Sequence, residues 1–110
     1  MATIDTGSPV FTVMVRLTVD PADQDELTAV AEEMGDVFAA QPGFVSLTLH
    51  KSHDGKRLVT YLQWQDRAAH EACQGTPEVM ARGARFMEFL QSGRAEIEVE
   101  TFDVVQVIDG

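Results

Sequence analysis

From Val10 to Val19 the chain alternates, with Phe11, Val13, Val15, Leu17 and Val19 on one parity and Thr12, Met14, Arg16 and Thr18 on the other. Period two with β-branched residues predicts a strand. Asp20-Pro21 follows as a helix start. Asp20 can cap, Pro21 suits the first helical position, and Asp23, Asp25 and Glu26 favour the positive end of the helix dipole. Leu27, Val30, Ala31, Met34, Val37 and Phe38 then recur at three- and four-residue steps, one apolar helix face. Gln41-Pro42-Gly43 ends it.

Alternation resumes over Phe44 to Ser52, with Val45, Leu47 and Leu49 against Ser46, Thr48 and His50. Asp54-Gly55 signals a tight turn and Leu58 to Trp64 the returning strand, so Phe44 to Trp64 reads as a hairpin. Asp66 is placed to cap a short helix through Cys73. Thr76-Pro77-Glu78 opens another, running to about Gln91 with Val79, Met80, Phe86, Met87 and Leu90 as its buried positions. Ser92-Gly93 stops it. Ala95 to Ile108 is the last strand; its alternation changes phase after Glu100, which places a bulge near Thr101.

The order β-α-β-β-α-β is the ferredoxin-like arrangement, an α+β fold with one antiparallel sheet and helices on a single face. On this reading Val45, Leu47, Leu49, Val59 and Tyr61 share the uncovered face. That set is too apolar to meet water, so a second copy packed sheet to sheet is expected. The 110 residues form one domain, 10–110, preceded by a loose arm over 1–9.

Composition narrows function by exclusion. Apolar residues are 45% and charged residues 24%, a globular balance that argues against wholesale disorder. Eight basic against eighteen acidic side chains give a net charge of −10, poorly suited to a phosphate backbone, so no nucleic-acid partner is expected. No apolar run is long enough to span a bilayer. Met1 to Pro9 has neither the basic start nor the apolar stretch of a secretion signal. The lone Cys73 rules out an internal disulfide, and the expectation is a cytoplasmic protein with no membrane partner.

Phosphate-loop, Walker and GxSxG patterns are absent. His50 and His53 stand three apart on a strand and so point to opposite faces; with one cysteine and no ligand spacing, no metal site is expected. His50 shares its parity with Ser46 and Thr48; Thr60, Leu62 and Trp64 share one on the paired strand. If both sets face the helices, the sheet shows His, Thr and Trp to the interior, either as satisfied core residues or as the lining of a cavity. His70 either leans into the same space or faces solvent. Arg82 either binds a phenolate or carboxylate or sits on a solvated helix face. Glu96, Glu98 and Glu100 read as a solvent-facing strand edge.

The stretches Pro42-Gly-Phe-Val-Ser-Leu-Thr-Leu-His50, Ser52-His-Asp-Gly55 and Val59-Thr-Tyr-Leu-Gln-Trp64 resemble the antibiotic biosynthesis monooxygenase family, over about Val10 to Val107. The resemblance implies ferredoxin-like subunits paired as a dimeric α/β barrel. It is nearest to members that oxidise aromatic polyketides, phenol or anthrone to quinone, with O2 and no cofactor. It implies catalytic roles for His50, Trp64 and His70, and a substrate site including Phe44, Thr48, Thr60, Leu62 and Arg82. Thr60 stands where the group has asparagine and His70 where it has an aromatic hydroxyl. The haem-degrading branch is less similar: Val15 and Gln74 stand where that branch has asparagine and an axial histidine.

The expected activity is therefore a cofactor-independent monooxygenase acting on a small aromatic polyketide as a homodimer. A non-redox cyclase or isomerase and a non-catalytic ligand-binding protein on the same fold are the alternatives.

Overall fold

The computed structural model describes residues 10–106, 108 and 110. The arm expected over 1–9 lies outside the described residues. Strand β1 (Phe11–Val19) leads through a 3-10 turn (Pro21–Asp23) into helix α1 (Gln24–Ala39). Strands β2 (Phe44–Lys51) and β3 (Arg57–Trp64) follow, then α2 (Arg67–Gln74), α3 (Pro77–Arg82), α4 (Ala84–Gln91) and β4 (Ala95–Asp103). The sheet is antiparallel in the order β2-β3-β1-β4, and the α+β ferredoxin-like fold is as the sequence predicts. None of the described helices is long and apolar enough to cross a membrane.

The local signals act as expected. Asp20 accepts from the Ala22 amide at 2.9 Å, Asp66 from Ala69 at 2.8 Å, and Thr76 from Val79 at 3.3 Å. Gly55 takes φ +80° in the hairpin turn, where Asp54 accepts from the Lys56 amide at 3.0 Å. Buried Gln24 closes the same hairpin from outside, donating to the carbonyls of Ser52 and Arg57 at 3.3 and 3.0 Å.

Three expectations need correction. The first is the face assigned to β2. Leu47 opposes Leu62, Leu49 opposes Thr60 and His50 opposes Val59, and directly opposed residues share a face. Leu47 and Leu49 therefore point to the helices with Thr60, Leu62 and Trp64. Ser46, Thr48 and His50 lie on the outer face with Val59, Tyr61 and Gln63. This register turns two half-buried leucines toward the helices where the alternative would turn a histidine and a threonine there.

The second is the bulge. It sits between Phe44 and Ser46, while β4 pairs with β1 in one unbroken register from Val19–Ala95 to Phe11–Asp103. Strand pairing stops at Asp103, short of Ile108. The third is the helix expected through Gln91. It breaks at Gly83, where α3 ends and α4 begins. Phe89 becomes the buried residue of α4, while Met80 and Met87 are exposed.

The core under the helices falls into two clusters. Leu17, Val19, Leu27, Val30, Leu58, Phe89 and Ala95 form one. Phe11, Val13, Leu62, Trp64 and Cys73 form the other. Half-buried Val15 touches both.

Candidate active site

Between the two clusters the packing opens into a cavity of about 360 Å³, walled by the sheet on one side and the helices on the other. Val13, Val15 and Leu17 of β1, Leu47 of β2, and Thr60 and Leu62 of β3 make the floor. Met34, Gly35 and Phe38 of α1 form part of the roof, with His70, Cys73 and Gln74 of α2. Phe86 and Met87 of α4 face Ile97 and Val99 of β4 across the open side. The volume is in the range that holds a small organic ligand, roughly 300–1,000 Å³. No carboxylate, lysine or arginine is in the lining; polarity comes from Thr60, His70, Cys73 and Gln74.

Helix α2 brings His70 to this space, and a close approach of backbone lets it do so. Gly43 stands at φ +82°, and a Cβ there would lie 2.5 Å from the Ala69 Cβ. Only a glycine allows α2 to settle on the turn between α1 and β2 this closely. The Gln65 amide, which donates to the Gly43 carbonyl at 2.7 Å, ties the two together. The Pro42-Gly43-Phe44 stretch is thus the seat on which the histidine-bearing helix rests.

His70 is half-buried, its ring 6.0 Å from that of Trp64 and 5.5 Å from that of Phe11. Burial lowers its pKa below the ordinary 6.5, against a smaller upward pull from Glu71. At neutral pH the imidazole is therefore uncharged and can accept a proton. Burial also pushes the Cys73 thiol up, so it stays protonated.

Trp64 is fully buried, with Phe38 and Phe44 edge-on at 6.2 and 5.8 Å. Its indole N–H finds no acceptor among the described residues, an uncommon condition for a buried donor. Trp64 and Phe44 stand behind the cavity wall and are not part of the lining, in contrast to Thr60, Leu62 and His70.

Three other expected residues lie elsewhere. His50 is exposed on the outer sheet face, edge-on to Tyr61 at 6.3 Å, with Nε2 3.1 Å from Thr48 Oγ1. Thr48 is exposed on that same face, carried there by the β2 register. Arg82 is exposed at the last turn of α3, outside the cavity lining. Conversely, Gln74 lines the cavity without having been a candidate. The signal was in the spacing: four residues past His70 on one helix puts both on one face. Among the described residues no group of three or more His, Cys, Asp or Glu converges as a metal site would require.

Comparison with known proteins gives three results. The sequence profile described as antibiotic biosynthesis monooxygenase matches residues 10–82. Tetracenomycin-F1 monooxygenase of Streptomyces glaucescens is 36% identical over 80 residues, covering 72% of this chain and 71% of that protein. Among solved structures, SnoaB of Streptomyces nogalater, described as a cofactor-independent oxygenase, superposes with a TM-score of 0.71 at 23% identity, covering 94% of this chain and 100% of its own. A Mycobacterium tuberculosis protein gives 0.74 at 23% identity, covering 91% and 99%. At these identities the two structures speak to the fold.

Proposed function

The chain belongs to the antibiotic biosynthesis monooxygenase family, and from that premise we propose that it oxidises a flat polycyclic phenol or anthrone to a quinone with O2 in the cavity between sheet and helices. The observation that carries this reading is His70: a half-buried imidazole, held neutral by burial, lining an otherwise uncharged cavity opposite Thr60.

The chemistry follows from those two groups. The substrate lies as a slab between the Val13–Val15 floor and the α1 roof. His70 takes a proton from the phenol or the anthrone methylene, leaving an electron-rich anion. The Thr60 hydroxyl donates to the developing oxyanion. The anion passes one electron to O2, and the resulting substrate radical and superoxide combine into a peroxide. The proton held on His70 returns to that peroxide. Loss of water then leaves a new C=O; one oxygen atom enters the product and the other leaves as water. The substrate supplies the electrons, so no resident redox group is required, in keeping with the description of SnoaB as cofactor-independent. Trp64 sets the ring of His70 from behind. His50, on the far side of the sheet, has no part in this scheme.

Oxygen uptake by purified, chelator-treated protein on an anthrone tests the proposal. Uptake above the uncatalysed rate with one O2 per quinone is expected, falling about 10²- to 10⁴-fold in His70→Ala and unchanged in His50→Ala. Product formation that continues without oxygen would assign the cavity to a cyclase or isomerase. Tight product binding without turnover would assign it to a binding protein.

A further inference from the structure

His70 and Gln74 stand one turn apart on α2, and both line the cavity. Side chains at this spacing start about 5–6 Å apart at Cβ and run side by side. Gln74 is exposed while lining the cavity, so its side-chain amide is free to meet a ligand at the rim. Around these two the cavity is asymmetric. The end formed by Leu17, Phe86 and Ile97 offers only hydrocarbon, while polar side chains come from α2 and from Thr60. A ligand here has one edge within reach of hydrogen-bonding side chains and the other beside hydrocarbon at the open side.

We propose that Gln74 is a specificity-determining residue, whose amide reads a second oxygen function on the edge of the ring system that His70 acts on. This deepens the assignment of the cavity and rests on it. An amide suits the task. It donates and accepts without titrating, so it holds a hydroxyl or a carbonyl equally and does not compete with His70 for the proton. The substrate class it implies is a polycyclic aromatic with two neighbouring oxygens on the edge that meets α2. Gln74 is a positioning group in this scheme, with no bond made or broken at it.

The test compares two probe ligands, 1-hydroxyanthraquinone and anthraquinone, by fluorescence titration of the whole protein. The wild type should prefer the hydroxylated probe. Gln74→Leu should lose about fivefold of that preference, the worth of one neutral hydrogen bond, with anthraquinone binding held or improved. Gln74→Asn should restore part of it, and KM for oxygenated anthrones should rise in Gln74→Leu while kcat stays near wild type. An unchanged preference in Gln74→Leu, with wild-type turnover intact, overturns this inference alone. A wild type that neither binds these probes nor oxidises anthrones overturns the cavity assignment, and this inference with it.

Discussion

His70 shows how placement decides the chemistry of a residue. The chain has three histidines; His50 and His53 are exposed, and only His70 is drawn into a low-dielectric site. Its neutral form is favoured by burial, so the folded protein binds a proton here less readily than the unfolded chain. The sign follows: His70 leaves stability untouched above about pH 6.5 and weakens it as pH falls from there through the lower folded value. The same titration would remove the base proposed for the reaction. kcat/KM for oxygen uptake should therefore be level around neutrality and drop only below about 6.5, a limb that disappears in His70→Gln. Rates across roughly pH 5 to 8, with the His70 proton followed by NMR, measure both; an acid limb or NMR midpoint above 6.5 would contradict the burial argument. The sequence named His70 and left its direction open, because a helix of eight residues with no long apolar stripe does not say which side meets the sheet. The inward reading of His50 fails for a different reason. Parity along one strand is visible in sequence, but parity between strands depends on how the hairpin closes, and here Lys51 opposes Leu58 across a loop longer than two residues.

At the scale of the element, α1 carries an oddity that the cavity accounts for. Gly35 sits in the middle of an otherwise well-formed sixteen-residue helix, where alanine would favour helix by roughly 0.8–1.0 kcal/mol. It lines the cavity roof, and a Cβ there would meet Leu47 at 3.6 Å, an ordinary contact. Gly35→Ala should thus stabilise the protein by about 0.5–1 kcal/mol in denaturant unfolding while raising KM for the largest substrates. Destabilisation, or an unchanged KM, would separate the glycine from the cavity. The helix N-caps and the Asp-Gly turn are readable in the sequence because their chemistry is local: one side chain and an amide two or three residues on. The helix break at Gly83 and the bulge at Phe44 were not. The apolar spacing from Val79 to Leu90 runs straight through Gly83, and the β2 bulge arises from pairing with β3, which no single strand records. The cavity itself belongs to this class. It is the place where two core clusters fail to merge, a property of packed elements that no run of residues displays.

For the whole molecule, the corrected β2 register changes what the uncovered sheet face can do. Leu47 and Leu49 have left it, so the face is less apolar than the alternation predicted. Met14, Val59, Tyr61 and Phe102 remain there, with Tyr61 and Phe102 exposed at 40% and 41%. Around them Arg16 pairs with Glu100 and lies 4.0 Å from Glu98, which removes part of the charge that a second acidic chain would meet. We expect two copies to pack through this face. A stable interface takes roughly 800 Å² from each partner, about a ninth of the 7060 Å² that this chain exposes. Light scattering on the eluting protein should give twice the 12.1 kDa chain mass. Tyr61→Asp, which sets a carboxylate in the middle of the apolar group, should return it to one chain while leaving the helical circular dichroism and the cavity's ligand binding in place. A wild-type mass of a single chain would leave Tyr61 and Phe102 without their proposed cover. A dimer indifferent to Tyr61→Asp would move the contact to the other apolar surface, the exposed Ile97 and Val99 beside the cavity mouth, where a second copy would close the substrate's way in.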